Sequence, residues 1–284
     1  MSAPAAVSAP AGVRAVPEPP ARFLDLVAAE WIKMRSLRST PWVLVLVPFF
    51  VTGCAALDAL WDYNNFPRYS PEAQREHMFA LRDAFPVSGY WTLILVAAGM
   101  GAVAVVGEYG TGLIRTTMVA VPARASVVLA KAVLVALVWT AVGAVAAAGS
   151  FTASQLILGL RDAALPVTDP VAVRSLAASA LLAPVCALIG LALGVLIRHG
   201  ATTAVVAAFT LLMLPFFVSD RRRWSAEIYN AMVGPAWQRL TTDWTPPPGS
   251  GSYPGTVPGS WLAYLAWPVL LVTAALIMIR RRDV

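Results

Sequence analysis

The sequence predicts an all-α integral membrane protein with six transmembrane helices, an N-terminal interfacial helix and one short helix in a cytoplasmic loop. Of the 284 residues, 58% are apolar and 13% charged, and the mean hydropathy is +0.70; soluble domains have roughly 45–50% and about 25%. Six apolar runs reach the roughly 17–25 residues a helix needs to cross about 30 Å of hydrocarbon. The runs are continuous and rich in Ala, Leu and Val, without the alternation of a barrel strand.

Residues 1–21 carry Pro4, Pro10, Pro17, Pro19 and Pro20 among Ala and Val, and are expected to form a disordered tail rather than a secretory signal. The next segment, 22–39, predicts a helix with Phe23, Val27, Trp31 and Met34 near one face, acids early (Asp25, Glu30) and cations late (Lys33, Arg35, Arg38). Pro41 favours a change of direction before the first span, so this helix is expected to lie on the membrane surface. The spans are expected near 42–60, 87–106, 127–148, 175–197, 202–218 and 261–279, making 22–284 one six-span domain. The run 202–218 is the shortest and also fits a re-entrant segment. With the N-terminus inside, both lysines (Lys33, Lys131), most of the cations and the Arg280 to Arg282 cluster fall on the inner side. Both termini are therefore expected in the cytoplasm. Among the outer segments, 224–240 predicts a short interfacial or re-entrant helix, and the Pro- and Gly-rich 246–258 a loop.

The formal charge of +6 could suggest a nucleic-acid binder, but the cations flank apolar runs and read as anchors to anionic headgroups. No nucleic-acid partner is expected. Cys54 and Cys186 lie inside apolar runs and indicate neither a disulfide framework nor a zinc site. His77 and His199 fall on opposite sides of the membrane, so they cannot share a metal or a triad, and each reads as a solvated or capping residue. HExxH, GxSxG and the GxxxxGK[ST] phosphate loop are absent. The chain is expected to be non-catalytic, with no cofactor and no metal. Asp58, Glu108, Lys131 and Arg198 lie near predicted span ends, where snorkelling or hydration would satisfy them, which weakens an ion relay.

Gly190 and Gly194 form a GxxxG that fits either packing within the chain or a dimer seam. Trp139, deep in the third span, fits either packing or a pathway wall. The inner loop Glu108-Tyr109-Gly110-Thr111-Gly112-Leu113-Ile114-Arg115-Thr116-Thr117-Met118, with Arg124 beyond, fits either a docking helix or a connecting turn. Thr111 would cap the helix, Leu113, Ile114 and Met118 would supply an apolar contact, and Arg115 and Arg124 charge.

Residues Glu30 to Thr40 resemble the helix preceding the first span in actinobacterial ATP-binding-cassette exporter permeases of the type-2 family. Glu108-Tyr109, Thr111-Gly112 and Ile114-Arg115-Thr116-Thr117 resemble that family's loop between spans two and three, and Arg280-Arg281-Arg282-Asp283 its ending. The resemblance implies a permease subunit that moves an amphiphilic or drug-like substrate outward across the cell membrane. It would pair with a second permease, as a homo- or heterodimer, and with two copies of a separate cytoplasmic ATPase. Glu108 to Met118 and Arg124 would then form a coupling helix, Trp31, Lys33, Arg35 and Arg38 would belong to the interfacial helix, and spans two and five would line the path. Gly110 departs from the basic or polar residue expected after Glu-Tyr. The alternatives are a non-transporting scaffold or sensory subunit that binds a cytosolic partner, and an ion-coupled transporter.

Overall fold

The computed structural model describes residues 22–76, 79–110, 124–242 and 251–281, and all regular structure among them is helical. Helix α1 (Phe23–Ser36) starts where the Asp25 carboxylate accepts the Arg22 backbone N–H at 2.9 Å. Pro41 sits in the first turn of α2 (Thr40–Asn65), where its missing N–H is harmless, and a 3-10 turn Phe66–Arg68 extends that helix. Two short helices, α3 (Pro71–Glu76) and α4 (Ala80–Ala84), lead into α5 (Val87–Gly110). The long α6 (Arg124–Leu158) is followed by α7 (Pro170–Ile197). Asp169 caps α7 by accepting the Val171 and Ala172 N–H groups at 2.7 and 3.3 Å, with Pro170 at the first position.

His199 caps α8 (Gly200–Ala208) through Nδ1, as its place at a helix end suggests. That helix continues as a π turn over Phe209–Met213 and a 3-10 turn over Leu214–Phe217. Pro215 cannot donate to the Leu211 carbonyl, which accounts for the loss of α geometry there. After α9 (Arg223–Asn230) and α10 (Val233–Thr241), the chain closes with α11 (Val257–Arg281).

Among the described residues six helices are long and apolar enough to cross a membrane: Thr40–Arg68, Ala80–Gly110, Ala125–Arg161, Pro170–Ile197, Gly200–Phe217 and Val257–Arg281. They are mostly longer than the expected runs, because polar ends such as Asp62 and Asn65 remain helical; Val218 instead closes the fifth in extended geometry. The fifth has 18 residues, about 27 Å of helix at 1.5 Å per residue.

Helix α7 is the centre of the molecule. Its apolar window is 67% buried, against 28% for α2 and α11 and 22% for the fifth span, and it packs on α5, α6, α10 and α11. Small residues set the α5–α7 approach. A Cβ on Gly190 would sit 1.9 Å from the Ala98 carbonyl oxygen, and one on Gly101 1.9 Å from that of Ala187. Gly194 is less tight, at 3.2 Å from the Ala102 oxygen. The glycine face of α7 thus packs against α5 in the same chain, the close approach that small-xxx-small patterns permit in lipid.

Candidate functional site

Ionisable side chains meet where α1, the end of α5 and the start of α6 converge. Lys131 donates to Glu30 Oε2 and, at 3.1 Å, to Glu108 Oε1; Lys33 donates to Glu30 Oε1 at 2.8 Å and to Glu108 Oε1 at 3.0 Å. Glu30, Glu108 and Lys131 are buried and Lys33 is half-buried. The result is a closed ring of two cations and two anions with no net charge. Burial pulls the Lys33 ammonium down, but the hydrogen bonds and negative charges of Glu30 and Glu108 outweigh it, so its pKa stands above the ordinary 10.5. A raised pKa adds stability that is complete below the unfolded value and is lost as pH rises through the folded one. The contribution of Lys33 should therefore hold through neutral pH and fade only above about 10.5, as unfolding midpoints of the chain and of Lys33→Gln across the alkaline range would register.

This geometry corrects two sequence expectations. Glu108 and Lys131 are not separate solvated charges at span ends but buried and paired with each other, because α1 packs over them. The inward stripe of α1 is Val27, Glu30, Lys33 and Met34, while Phe23 and Trp31 are exposed. Asp58 also falls farther from a helix end than expected, on an exposed position of α2, since that helix continues beyond it.

A cavity of about 310 Å³ opens beside the ring, lined by Glu30, Lys33, Thr40, Glu108, Lys131 and Trp139 among others. Ligand clefts commonly occupy about 300–1,000 Å³. Trp139 is buried and belongs to this wall.

Glu108 and Tyr109 occupy the last turn of α5, and Arg124 opens α6. Thr111, Gly112, Leu113, Ile114, Arg115, Thr116 and Met118 lie outside the described residues. The Arg35 guanidinium stands 5.8 Å over the Trp31 ring, and Arg38 is exposed in the link to α2. Arg198 lies over the Tyr109 ring at 5.2 Å.

The opposite end of the bundle carries a second cluster that the sequence reading missed. Asp62, fully buried, accepts from Tyr69 Oη at 2.6 Å and from Arg82 Nη2 at 2.5 Å, and Arg82 Nε reaches Asp83 at 3.4 Å. Burial and the bond to Asp62 push the Tyr69 hydroxyl up to about 12. The segment 224–240, expected as one helix, is two, because extended Met232 (φ −80°, ψ 149°) separates α9 from α10. Helix α10 is driven into the bundle. Its Trp237 is buried, stacks on Tyr90 with centroids 4.9 Å apart and donates Nε1–H to Ser179 Oγ at 3.0 Å. Trp237→Phe should keep most of the stacking and lose that bond, lowering stability by about 1–2 kcal/mol in a denaturation series; no loss would mean that the bond is not made.

Among the described residues no group of three or more His, Cys, Asp or Glu is placed to hold a metal ion. Comparison with protein families and with curated proteins gives no match to this chain.

Proposed function

We propose that this chain is the non-catalytic membrane subunit of an ATP-driven exporter of the type-2 ATP-binding-cassette class. One observation supports the reading above others: one charge ring joins α1, through Glu108 and Lys131, to the last turn of α5 and the first part of α6, the two helices that bracket residues 111–123. A displacement delivered to that segment by a cytoplasmic ATPase would act on both flanking spans and on α1 together, since buried charge pairs resist separation. In this reading Glu108 to Gly110, the end of α5, lead into a coupling helix over 111–118, and the exposed Leu24, Trp31 and Ile32 of α1 rest in the membrane interface. The ATPase is present in two copies, a second permease completes the path, both termini are cytoplasmic, and the bilayer is the plasma membrane. The cargo is an amphiphilic or drug-like molecule moved outward.

The test is co-purification of the tagged chain, in mild detergent, with the ATPase encoded beside it, followed by ATP turnover. Arg115→Ala and Leu113→Ala should each reduce stimulation of the ATPase roughly 10-fold, as loss of an interface anchor does, with membrane insertion unchanged. Unaltered coupling would remove the docking assignment, and no associated ATPase would favour a scaffold or an ion-coupled transporter. Cysteines at Ser70 and Ser252 should label from outside the cell, and one at Ala123 only from inside; the reverse pattern overturns the orientation.

A further inference from the structure

The cavity beside the charge ring has two unlike walls. Leu44 of α2, Met100 and Val103 of α5 and Leu134 and Trp139 of α6 form an apolar side, and the ring forms a polar one. The polar side has hydrogen-bonding capacity left over. Thr40 lines the cavity and is only 3% exposed, yet its buried hydroxyl has no partner among the described residues. Both lysines bond Glu108 through the same oxygen, Oε1. Each ammonium has three N–H donors, and the ring engages two on each lysine.

The unmatched Thr40 hydroxyl and the charge ring therefore line one space, beside a wall that favours hydrocarbon. The charge of the ring restricts the guest further. Its two cations and two anions already cancel, so a net-charged head would bring an uncompensated charge against buried ion pairs, whereas a zwitterionic head would not. The volume admits a small head and the near end of a single chain, and the cavity opens outward for the rest.

From this arrangement we infer that the cavity binds one single-chain amphiphile with a small zwitterionic head, such as an amine and a phosphate. Its head meets Thr40 and the ring, and its chain lies along Met100, Val103, Leu134 and Trp139. The site lies within one chain, under α1, and requires no ATPase, so it stands apart from the transport reading.

The experiment uses the full chain in detergent micelles and a lysophosphatidylethanolamine probe with a photoreactive group in its acyl chain. Irradiation should give saturable labelling of peptides from α5 and α6 around Met100 to Ala104 and Leu134 to Trp139. Unlabelled lysophosphatidylethanolamine should compete about tenfold better than anionic lysophosphatidylglycerol, the penalty expected of an uncompensated charge. Val103 is half exposed, so Val103→Trp should fill the cavity and abolish labelling while the helical circular dichroism and unfolding midpoint are retained. Thr40→Val should weaken binding about tenfold, and Thr40→Ser should restore it.

Mass spectrometry of lipid extracted from the untreated protein separates the two sources. A zwitterionic lipid carried through purification identifies the bilayer as the supply, and an empty site that takes up the probe identifies a free amphiphile. Labelling that is unsaturable and spread over all lipid-facing helices, equal competition by both heads, or labelling unchanged in a folded Val103→Trp protein overturns the inference.

Discussion

Replacing Lys131 with Met should lower the stability of the helical bundle by about 3–5 kcal/mol, because removing one partner leaves a buried charge uncompensated. Lys131 is the most enclosed cation of the ring and the bridge between Glu30 of α1 and Glu108 of α5. Its loss leaves two carboxylates with Lys33 alone, which is nearer solvent. A second change removes the imbalance. Lys131→Met combined with Glu30→Gln restores one cation to one anion and should recover most of the loss, while neutralising all four residues together should be milder than Lys131→Met alone. Unfolding in mixed micelles, followed by circular dichroism, measures each variant. A loss below about 1 kcal/mol for the single change, the range of an exposed ion pair, would mean that water reaches the ring.

A graded series at the glycines of α5 and α7 carries the second large effect. Gly190→Ala and Gly101→Ala each place a methyl group 1.9 Å from a backbone oxygen of the facing helix, and neither oxygen can swing aside. The helices must separate, with a loss of about 1–3 kcal/mol or more as overpacking costs. Gly194→Ala, at 3.2 Å, should be milder, and Gly99→Ala, with nothing within 4 Å, should cause no loss. Unfolding midpoints that fall in that order support the seam. Equal effects at Gly99 and Gly190 would rule it out.

The six long helices were legible because a run of about 20 apolar residues has few solutions other than a spanning helix. Their true ends were not, since Asp62 and Asn65 extend α2 as polar residues that hydropathy counts as loop. The charge ring was hidden for a different reason. Glu30 and Lys131 are 101 residues apart, and Glu108 and Lys33 are 75 apart, so Glu108 and Lys131 matched the hydrated pattern of span ends, and Glu30 and Lys33 the charge gradient of an isolated helix. Only the packing of α1 against α6 turns them toward one another. Glu30 did carry a usable signal, lying between Val27 and Met34 on the apolar side of an amphipathic helix. The insertion of α10 was half legible: apolar Trp224, Ile228, Met232 and Trp237 spaced among polar residues indicated a helix, but not that Trp237 would find Tyr90 and Ser179 inside the bundle.

The turn between α7 and α8 has a consequence for how the chain is made. Only Arg198, in the left-handed region at φ 62°, and His199 separate the two helices. Two residues cannot form a soluble loop that waits at the surface while one helix inserts. The fourth and fifth of these apolar helices are therefore expected to enter the bilayer together, as one hairpin. A ribosome stalled between them would hold an α7 whose glycine face already has α5 to pack on, while its contacts with α10 and α11 are still to be made.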